Sequence, residues 1–158
     1  MMTAQVTVHE GREGTVLVAQ ILKAKGASVI GIERHRSIRD AAKLLTENNI
    51  GAVLVTGGDG ICGILSERDI ARGVASFGGV VADAAVETLM TRDVLTCAPT
   101  DNSDELMTMM TARRIRHLPV TVGGEIVGMI SIGDIVKARL SELENESEAM
   151  QIYIAGMA

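Results

Sequence analysis

The chain has 158 residues, of which 47% are apolar and 22% charged, a balance typical of one globular domain or two small ones and too apolar for a disordered chain. The net charge is −5, and it becomes −1 when the four glutamates after Leu140 are left out, so the charge does not indicate a general polyanion binder. Phe77 and Tyr153 are the two aromatic residues, which argues against a base-stacking platform for nucleic acid.

The N-terminal extension, residues 1–18, has no features of a targeting or membrane segment. It carries charged residues such as Arg12 where a signal peptide needs an apolar stretch, and no apolar run in the chain approaches the ~18 residues that cross a bilayer. Cys62 and Cys97 each lie in an apolar context, as free buried thiols do. We therefore expect a cytoplasmic protein that binds neither membrane nor nucleic acid.

The sequence repeats itself at an offset of 65 residues. Between Thr46 and Ile70, ten of 25 positions match residues 111–135 without a gap, where chance would give one or two. The matched pairs include Val55 with Val120, Gly63 with Gly128, Ser66 with Ser131 and Asp69 with Asp134. The chain is therefore two copies of one small unit.

The first copy, residues 19–75, predicts the element order β-α-β-β-α. An extended segment at 29–32 precedes a helix whose apolar residues, from Ile38 to Leu45, have the spacing i, i+3, i+4, i+7. A capping box of Ser37 and Asp40 begins that helix. A buried strand at 52–55, a glycine-rich turn and a hairpin partner follow, and a second helix begins at Ser66.

A connection at 76–88 leads to the second copy, residues 89–140, which has the same order. Its extended segment is 94–97, its first helix begins at Asn102, and its strands surround Gly123-Gly124. The last helix is predicted from Asp134 to about Met150. The acidic and apolar remainder, 141–158, forms the end of that helix and a tail.

A single unit this small can hardly bury its own sheet, so the two copies are expected to pack through their sheets with the helices outside. The predicted fold is α+β, with two β-α-β-β-α repeats related by an internal pseudo-twofold axis.

The repeated segments 63–70 and 128–135 resemble the closing motif of the CBS domain, and 115–120 resembles its second strand with a hydrophobic-Pro-Val signature. The resemblance covers about residues 19–140, and CBS domains occur in tandem as Bateman modules. It implies a regulatory signal-transduction protein without catalysis. Members bind adenosine-containing ligands in the clefts between the copies: AMP, ADP, ATP, S-adenosylmethionine or NAD(H).

The resemblance also implies roles for the repeated motif. Its Ser and Asp hold the ribose in the family, which selects Ser66, Asp69, Ser131 and Asp134, and an ionised Asp can accept both ribose hydroxyls. A Ser-x-x-Asp pair is equally a capping box, and capping alone explains these residues without a ligand. The tandem recurrence favours the ligand.

Further contacts are implied with phosphate and adenine. Arg116 and His117 occupy family positions that meet phosphates, whereas the matching Gly51 and Ala52 carry no charge, so the two sites are expected to differ. Arg68 either reaches a phosphate or lies in solvent. The adenine contacts fall on the first strand of each copy: Ile30, Gly31, Ile32, Thr96, Cys97 and Ala98.

No catalytic or metal-binding spacing is present in the sequence. Two hypotheses follow: a stand-alone adenine-nucleotide sensor that acts in trans on an unknown protein target, or a dimeric scaffold with degenerate nucleotide sites. Ser and Asp in both copies favour the first. A homodimer is expected from the apolar tail and from the family's habit of pairing modules.

Overall fold

The computed structural model describes residues 4–5 and 15–157. Most of the predicted N-terminal extension, residues 1–3 and 6–14, lies outside the described residues, as does Ala158. The elements in chain order are β1 (Ala4–Gln5), α1 (Val18–Lys25), β2 (Gly31–Glu33), α2 (Ile38–Asn48), β3 (Ala52–Gly57), β4 (Gly60–Ser66), α3 (Glu67–Phe77), two 3₁₀ segments (Gly78–Asp83 and Val86–Thr88), β5 (Leu95–Thr96), α4 (Ser103–Arg113), β6 (His117–Val122), β7 (Glu125–Ser131) and α5 (Ile132–Gly156). This mixture confirms the α+β prediction.

The described chain forms two compact units. The first contains residues 28–96, and the second contains residues 15–27 together with 97–157. Helix α1 therefore belongs with the second repeat, although it precedes the first repeat in sequence. The 3₁₀ segments, which precede the second repeat, belong with the first.

In the first unit, β3 is the middle strand of a three-stranded sheet. It runs parallel to β2, with Ile32 opposite Val55, and antiparallel to β4, with Val53 opposite Leu65. The helix α2 covers this sheet because its stripe of Ile38, Ala41 and Leu45 is almost fully buried in the core. Strand β4 ends at Ser66, which is the N-cap of α3, so this sheet positions the start of α3.

In the second unit, β6 and β7 form an antiparallel hairpin, with Leu118 opposite Ile130. A parallel bridge between Cys97 and Val120 occupies the place that β2 has in the first unit. The core is aliphatic and includes Leu106, Met110 and Leu118, each with no exposed surface.

The repeat extends to backbone details. Both hairpins have a β-bulge at the same place, between Val55 and Thr56 and between Val120 and Thr121. Asn49 and Arg114 end their helices with φ of 51° and 57°, a left-handed conformation that satisfies the last carbonyls. The predicted duplication is therefore confirmed by these shared backbone details.

The segments before each repeat also correspond, at an offset of 68 rather than 65. Leu17 forms an antiparallel bridge with Asn102, and Ala85 forms one with Ser37. Gly128 and Gly63 mark the close approach, because an added Cβ would meet Leu22 Cδ2 at 2.7 Å and Met90 Sδ at 2.7 Å. Helix α1, which comes directly before the first repeat, thus covers the hairpin of the second repeat. The segment that ends at Met90 covers the hairpin of the first repeat.

Several element boundaries differ from the sequence prediction: β3 continues to Gly57, β5 is limited to Leu95–Thr96, and α5 begins at Ile132 rather than at Asp134. Strand β2 begins at Gly31, two residues later than expected, and α5 extends to Gly156 rather than to about Met150. The helix continues because no proline or glycine interrupts it between Asp134 and Ala155. No helix of the described residues combines the length and apolar character that spanning a membrane requires.

Candidate ligand-binding site

The candidate ribose-binding residues of the second repeat lie at the start of α5. Ser131 is the N-cap, with φ −109° and ψ 162°, and its Oγ accepts a hydrogen bond from Asp134 N at 3.1 Å. Asp134 Oδ2 accepts one from Ser131 N at 2.8 Å. The two residues therefore close a reciprocal capping box, as the sequence allowed.

The first repeat places Ser66 and Asp69 in the same backbone geometry at the start of α3. Ser66 N donates to Asp69 Oδ2 at 2.9 Å, and the Ser66 hydroxyl also donates to Oδ2, at 2.8 Å. The hydroxyl proton of Ser66 is therefore used within the motif.

Lys25 makes the second site different. Its Nζ lies 2.6 Å from Asp134 Oδ2 and donates a hydrogen bond to it. In the first repeat, the equivalent oxygen of Asp69 accepts from the Ser66 hydroxyl. The Ser131 side chain also interacts with the Asp134 carboxylate and lowers its pKa. Asp134 therefore accepts from a lysine as well as from Ser131, and the structure shows no lysine on Asp69 among the described residues.

The electrostatics of Asp134 follow from these contacts. Partial burial opposes its ionisation, but the hydrogen bonds from Lys25 and Ser131 and the charge of Lys25 outweigh burial and lower the pKa of Asp134 below its ordinary value. The group is an ionised acceptor at neutral pH.

The basic candidates lie beside this helix start. His117 pairs directly with Ser131 across β6 and β7, and the Arg116 carbonyl accepts from Ile132 N at 2.9 Å. In the first unit, Ala52 pairs with Ser66 and the Gly51 carbonyl accepts from Glu67 N at 3.0 Å. The predicted correspondence of these positions is therefore seen in the backbone, and only the second unit carries basic side chains there.

Arg68 is the second residue of α3, next to Glu67 and one position before Asp69. The structure therefore places it at the helix start of the first repeat, where the sequence analysis left its role open.

The adenine candidates fall into two groups. Ile30, Gly31 and Ile32 lie on or beside β2, and Thr96 ends β5, all in the first unit. Cys97 and Ala98 belong to the second unit.

Cys97 is fully buried, and burial raises the pKa of its thiol to about 12. Its backbone N–H donates to the Pro119 carbonyl, and its carbonyl accepts from Thr121 N. Both cysteines are free, as predicted, although Cys62 is half-buried rather than buried.

A groove of about 910 Å³ runs along the second unit between α1 and α5, with Lys25 and Asp134 at its side. Its other polar lining residues are Thr15, Gln20, Lys137, Ser141, Glu142, Asn145 and Glu146. The groove has carboxylates as well as ammonium groups, so it is not a uniform anion site.

Among the described residues, no three His, Cys, Asp or Glu side chains cluster closely enough to hold a metal ion. Lys25 is the functional candidate that sequence reasoning missed. It contacts a residue 109 positions away, and neither the motif nor the repeat points to it.

Known proteins resemble the chain over most of its length. The CBS domain profile matches residues 26–76 and 86–141. The CBS domain-containing protein CBSX3, mitochondrial, of Arabidopsis thaliana is 34% identical over 157 residues, which cover 94% of this chain and 76% of the plant protein. The crystal structure of the CBS-domain containing protein ATU1752 from Agrobacterium tumefaciens is 40% identical, with a TM-score of 0.77, and the match covers 84% of this chain and 99% of that one.

Two similar structures contain ligands. The CBS domain protein PAE2072 from Pyrobaculum aerophilum, complexed with AMP, is 27% identical with a TM-score of 0.65, covering 75% of this chain and 89% of that one. The CBS domain pair of protein MJ0100, in complex with 5'-methylthioadenosine and S-adenosyl-L-methionine, is 27% identical with a TM-score of 0.70, covering 81% and 98%.

Proposed function

Because the chain belongs to the CBS domain family, we propose that it is a regulatory module that binds an adenosine-containing ligand and acts in trans on a partner protein. AMP is the first ligand to test, since one similar protein binds AMP, and ADP, ATP and NAD(H) share its adenosine half. The ligand carries a signal and undergoes no reaction in this proposal.

The arrangement at the start of α5 supports this proposal most directly. A ribose diol presents two hydroxyl donors and two acceptors, and Ser131 and Asp134 offer it a hydroxyl and an ionised carboxylate. The Lys25 ammonium group favours the ionised form of that carboxylate. In our proposal Ser131 and Asp134 hold the ribose, and Ser66 and Asp69 form a second, weaker site.

The remaining contacts of the proposal follow the family pattern. Arg116 and His117 bind phosphate at the second site, and Arg68 is the only candidate for phosphate at the first site among the residues that we assign. The adenine contacts of the first copy are Ile30, Gly31 and Ile32, and those of the second copy are Thr96, Cys97 and Ala98.

The alternative is a dimeric scaffold with degenerate sites. It is favoured by the capping boxes, which are complete in both repeats without any ligand. The two functions predict different thermal behaviour. A ligand at 100 times its dissociation constant adds about 2.7 kcal/mol of stability to a sensor, whereas a scaffold gains nothing.

The variant Asp134→Asn is expected to weaken AMP binding by roughly 10- to 150-fold, because it replaces a charged acceptor with an amide at the ribose. The measurement is calorimetric titration of the full chain with AMP. The free energy of unfolding should fall by only about 0.5–1 kcal/mol, because Asn keeps the Oδ acceptor for Ser131 N and loses only the partly exposed ion pair with Lys25.

Asp69→Asn is the matched control, at the equivalent position of the weaker site, and should leave the tighter binding class unchanged. Titration with 2′-deoxy-AMP is an independent control because that ligand lacks one hydroxyl of the diol. If 2′-deoxy-AMP binds the wild-type protein as tightly as AMP does, Asp134 is not the ribose acceptor. If no adenosine ligand raises the melting temperature, the scaffold function replaces the sensor.

A further inference from the structure

The distal part of α5 exposes an unusually apolar face. Six large apolar residues of α5 and its C-cap are between 43% and 71% exposed within the chain. They are Val136, Leu140, Leu143, Met150, Ile154 and Met157. Exposed apolar area of this extent on one helix marks an interaction surface.

These six residues follow a heptad pattern. With Ser147 in the remaining place, the intervals from 136 to 157 are 4, 3, 4, 3, 4 and 3 residues. This is the a/d repeat of a coiled coil, sustained over three heptads, and we call the seven positions the seam.

The seam is turned away from the body of its own unit. Residues that line the groove against α1, such as Asp134, Ala138, Ser141 and Asn145, lie on the opposite side of α5 at 3.6 residues per turn. Ile135, on a third side, is fully buried. The helix therefore packs on its own unit with one side and presents the seam on another.

We propose that the seam pairs with the seam of a second copy of this chain as a parallel, in-register, two-stranded coiled coil. This inference goes beyond the proposed function, since it requires no ligand. With Leu140 at an a position, Arg139 is a g position and Glu144 is the e position five residues later. In a parallel pair, g faces the following e of the other helix, so Arg139 meets Glu144 of the partner subunit twice by symmetry.

The charges favour the parallel direction. In the antiparallel register of greatest overlap, g meets g and e meets e, so Glu144 faces Glu144 of the partner subunit and Glu146 faces Glu146 of the partner subunit, and these like charges repel. Within one chain, Arg139 already lies beside Glu142 and, more distantly, Asp104, which holds its guanidinium on the flank of α5. Ser147 is the single polar residue at an a or d position, and a polar seam residue fixes the register at some cost in affinity.

Sedimentation equilibrium of the full chain tests the surface. The wild-type protein should have twice the 16.7 kDa mass of one chain at micromolar concentration. Leu143→Glu and Ile154→Glu should each weaken self-association by about 100-fold or more, because each places two charges in an apolar seam. These side chains are exposed in the single chain, so circular dichroism should show an unchanged fold.

Ile152→Glu is the matched control. Ile152 is 73% exposed and apolar, but it is not a seam position, so the variant should remain a dimer. Ser147→Leu should strengthen the dimer by about tenfold, because it completes the apolar seam. A monomeric wild type, or a dimer that survives both seam variants, would overturn the proposal.

Cysteine cross-linking decides the direction. In a Cys62→Ser background, with Cys97 buried, Leu140→Cys and Ile154→Cys should each form a disulfide-linked dimer under mild oxidation, because a parallel pair sets equal positions opposite each other. An antiparallel pair cannot link both positions to themselves, since they lie 14 residues apart. Failure of either variant to link would overturn the parallel arrangement, and no outcome here depends on AMP.

Discussion

At the scale of single residues, Asp134 combines two roles. Its Oδ2 atom closes the capping box with Ser131 and accepts from Lys25, whereas Asp69 receives both of its bonds from Ser66. Capping and the proposed ribose binding are therefore compatible uses of one carboxylate, because Oδ2 caps the helix and a carboxylate has two acceptor oxygens. The sequence analysis treated capping and ribose binding as alternatives, but this geometry allows both.

Lys25→Met should lower the free energy of unfolding by about 0.5–1 kcal/mol at pH 7, because the ion pair is partly solvent-exposed. The pKa of Asp134 is lowered in the folded chain, so this stabilisation is present above the ordinary carboxyl pKa of about 3.9 and is lost as the pH falls through the lower folded value. Urea unfolding of both proteins at pH 7 and below pH 3 measures the difference.

The control is Lys137→Met, which removes a lysine from the same groove that has no ion-pair partner among the described residues. It should leave the unfolding free energy unchanged at both pH values. A Lys25→Met effect of the same size at acidic and neutral pH would show that the lysine stem stabilises α1 by packing and not through its charge.

Residue-level prediction succeeded where the information was local. Ser66 and Ser131 are three positions from their aspartates, so the capping geometry follows from short-range spacing. Lys25 was not predicted because its contact depends on where α1 packs in the folded chain. The roles of the site residues toward ligand stay predictions.

At the scale of elements, the segments that precede the two repeats differ in structure, although each covers a closing hairpin. Before the first repeat the segment is the helix α1, and before the second it is a pair of 3₁₀ segments. At their offset of 68 residues, Val18 matches Val86 but the neighbouring residues differ, so the sequence did not reveal this second repeat. The periodic helices α2 and α4 were predictable because their apolar spacing is regular.

Gly63→Ala should destabilise the chain by about 2–3 kcal/mol, and Gly128→Ala by about 1 kcal/mol. A Cβ at Gly63 meets Met90 Sδ at 2.7 Å and the backbone carbonyl of Thr91 at 2.9 Å, and the carbonyl cannot rotate away. At Gly128 the close atoms are the terminal methyl groups of Leu22, which can change rotamer.

Urea unfolding of the two variants measures these effects. Gly79→Ala is a suitable control, since a Cβ there meets nothing within 4 Å and φ is not positive. If Gly63→Ala and Gly128→Ala lowered the free energy of unfolding equally, the covering segments would shift as rigid bodies. Side-chain freedom at Leu22 would then have no effect.

At the scale of the whole molecule, the duplication was predictable because ten identities at one offset are far beyond chance. The assignment of α1 to the second unit was not predictable, because sequence order alone suggests that each segment packs on the repeat that follows it. The mutual packing of the repeats through their sheets stays a prediction.

Duplication gives the two helix starts the same backbone, but divergence has made them chemically unequal. The second has Lys25, Arg116 and His117 at or beside its motif, whereas the equivalents of the latter two are Gly51 and Ala52. Calorimetry with AMP should therefore show two classes of site, or one site per chain. Two identical sites per chain would contradict this inequality.

Arg116→Ala tests the origin of the inequality. It should weaken the tighter class of AMP binding by about tenfold, which corresponds to the loss of one solvent-accessible charge-assisted hydrogen bond, and leave the weaker class unchanged. Adenosine, which has no phosphate, should bind the wild type and the variant equally. Arg113→Ala removes an equally exposed arginine from the end of α4 and serves as the control. If adenosine binding falls as much as AMP binding, Arg116 supports the start of α5 through its backbone neighbourhood, and the difference in phosphate affinity arises from His117 or Lys25.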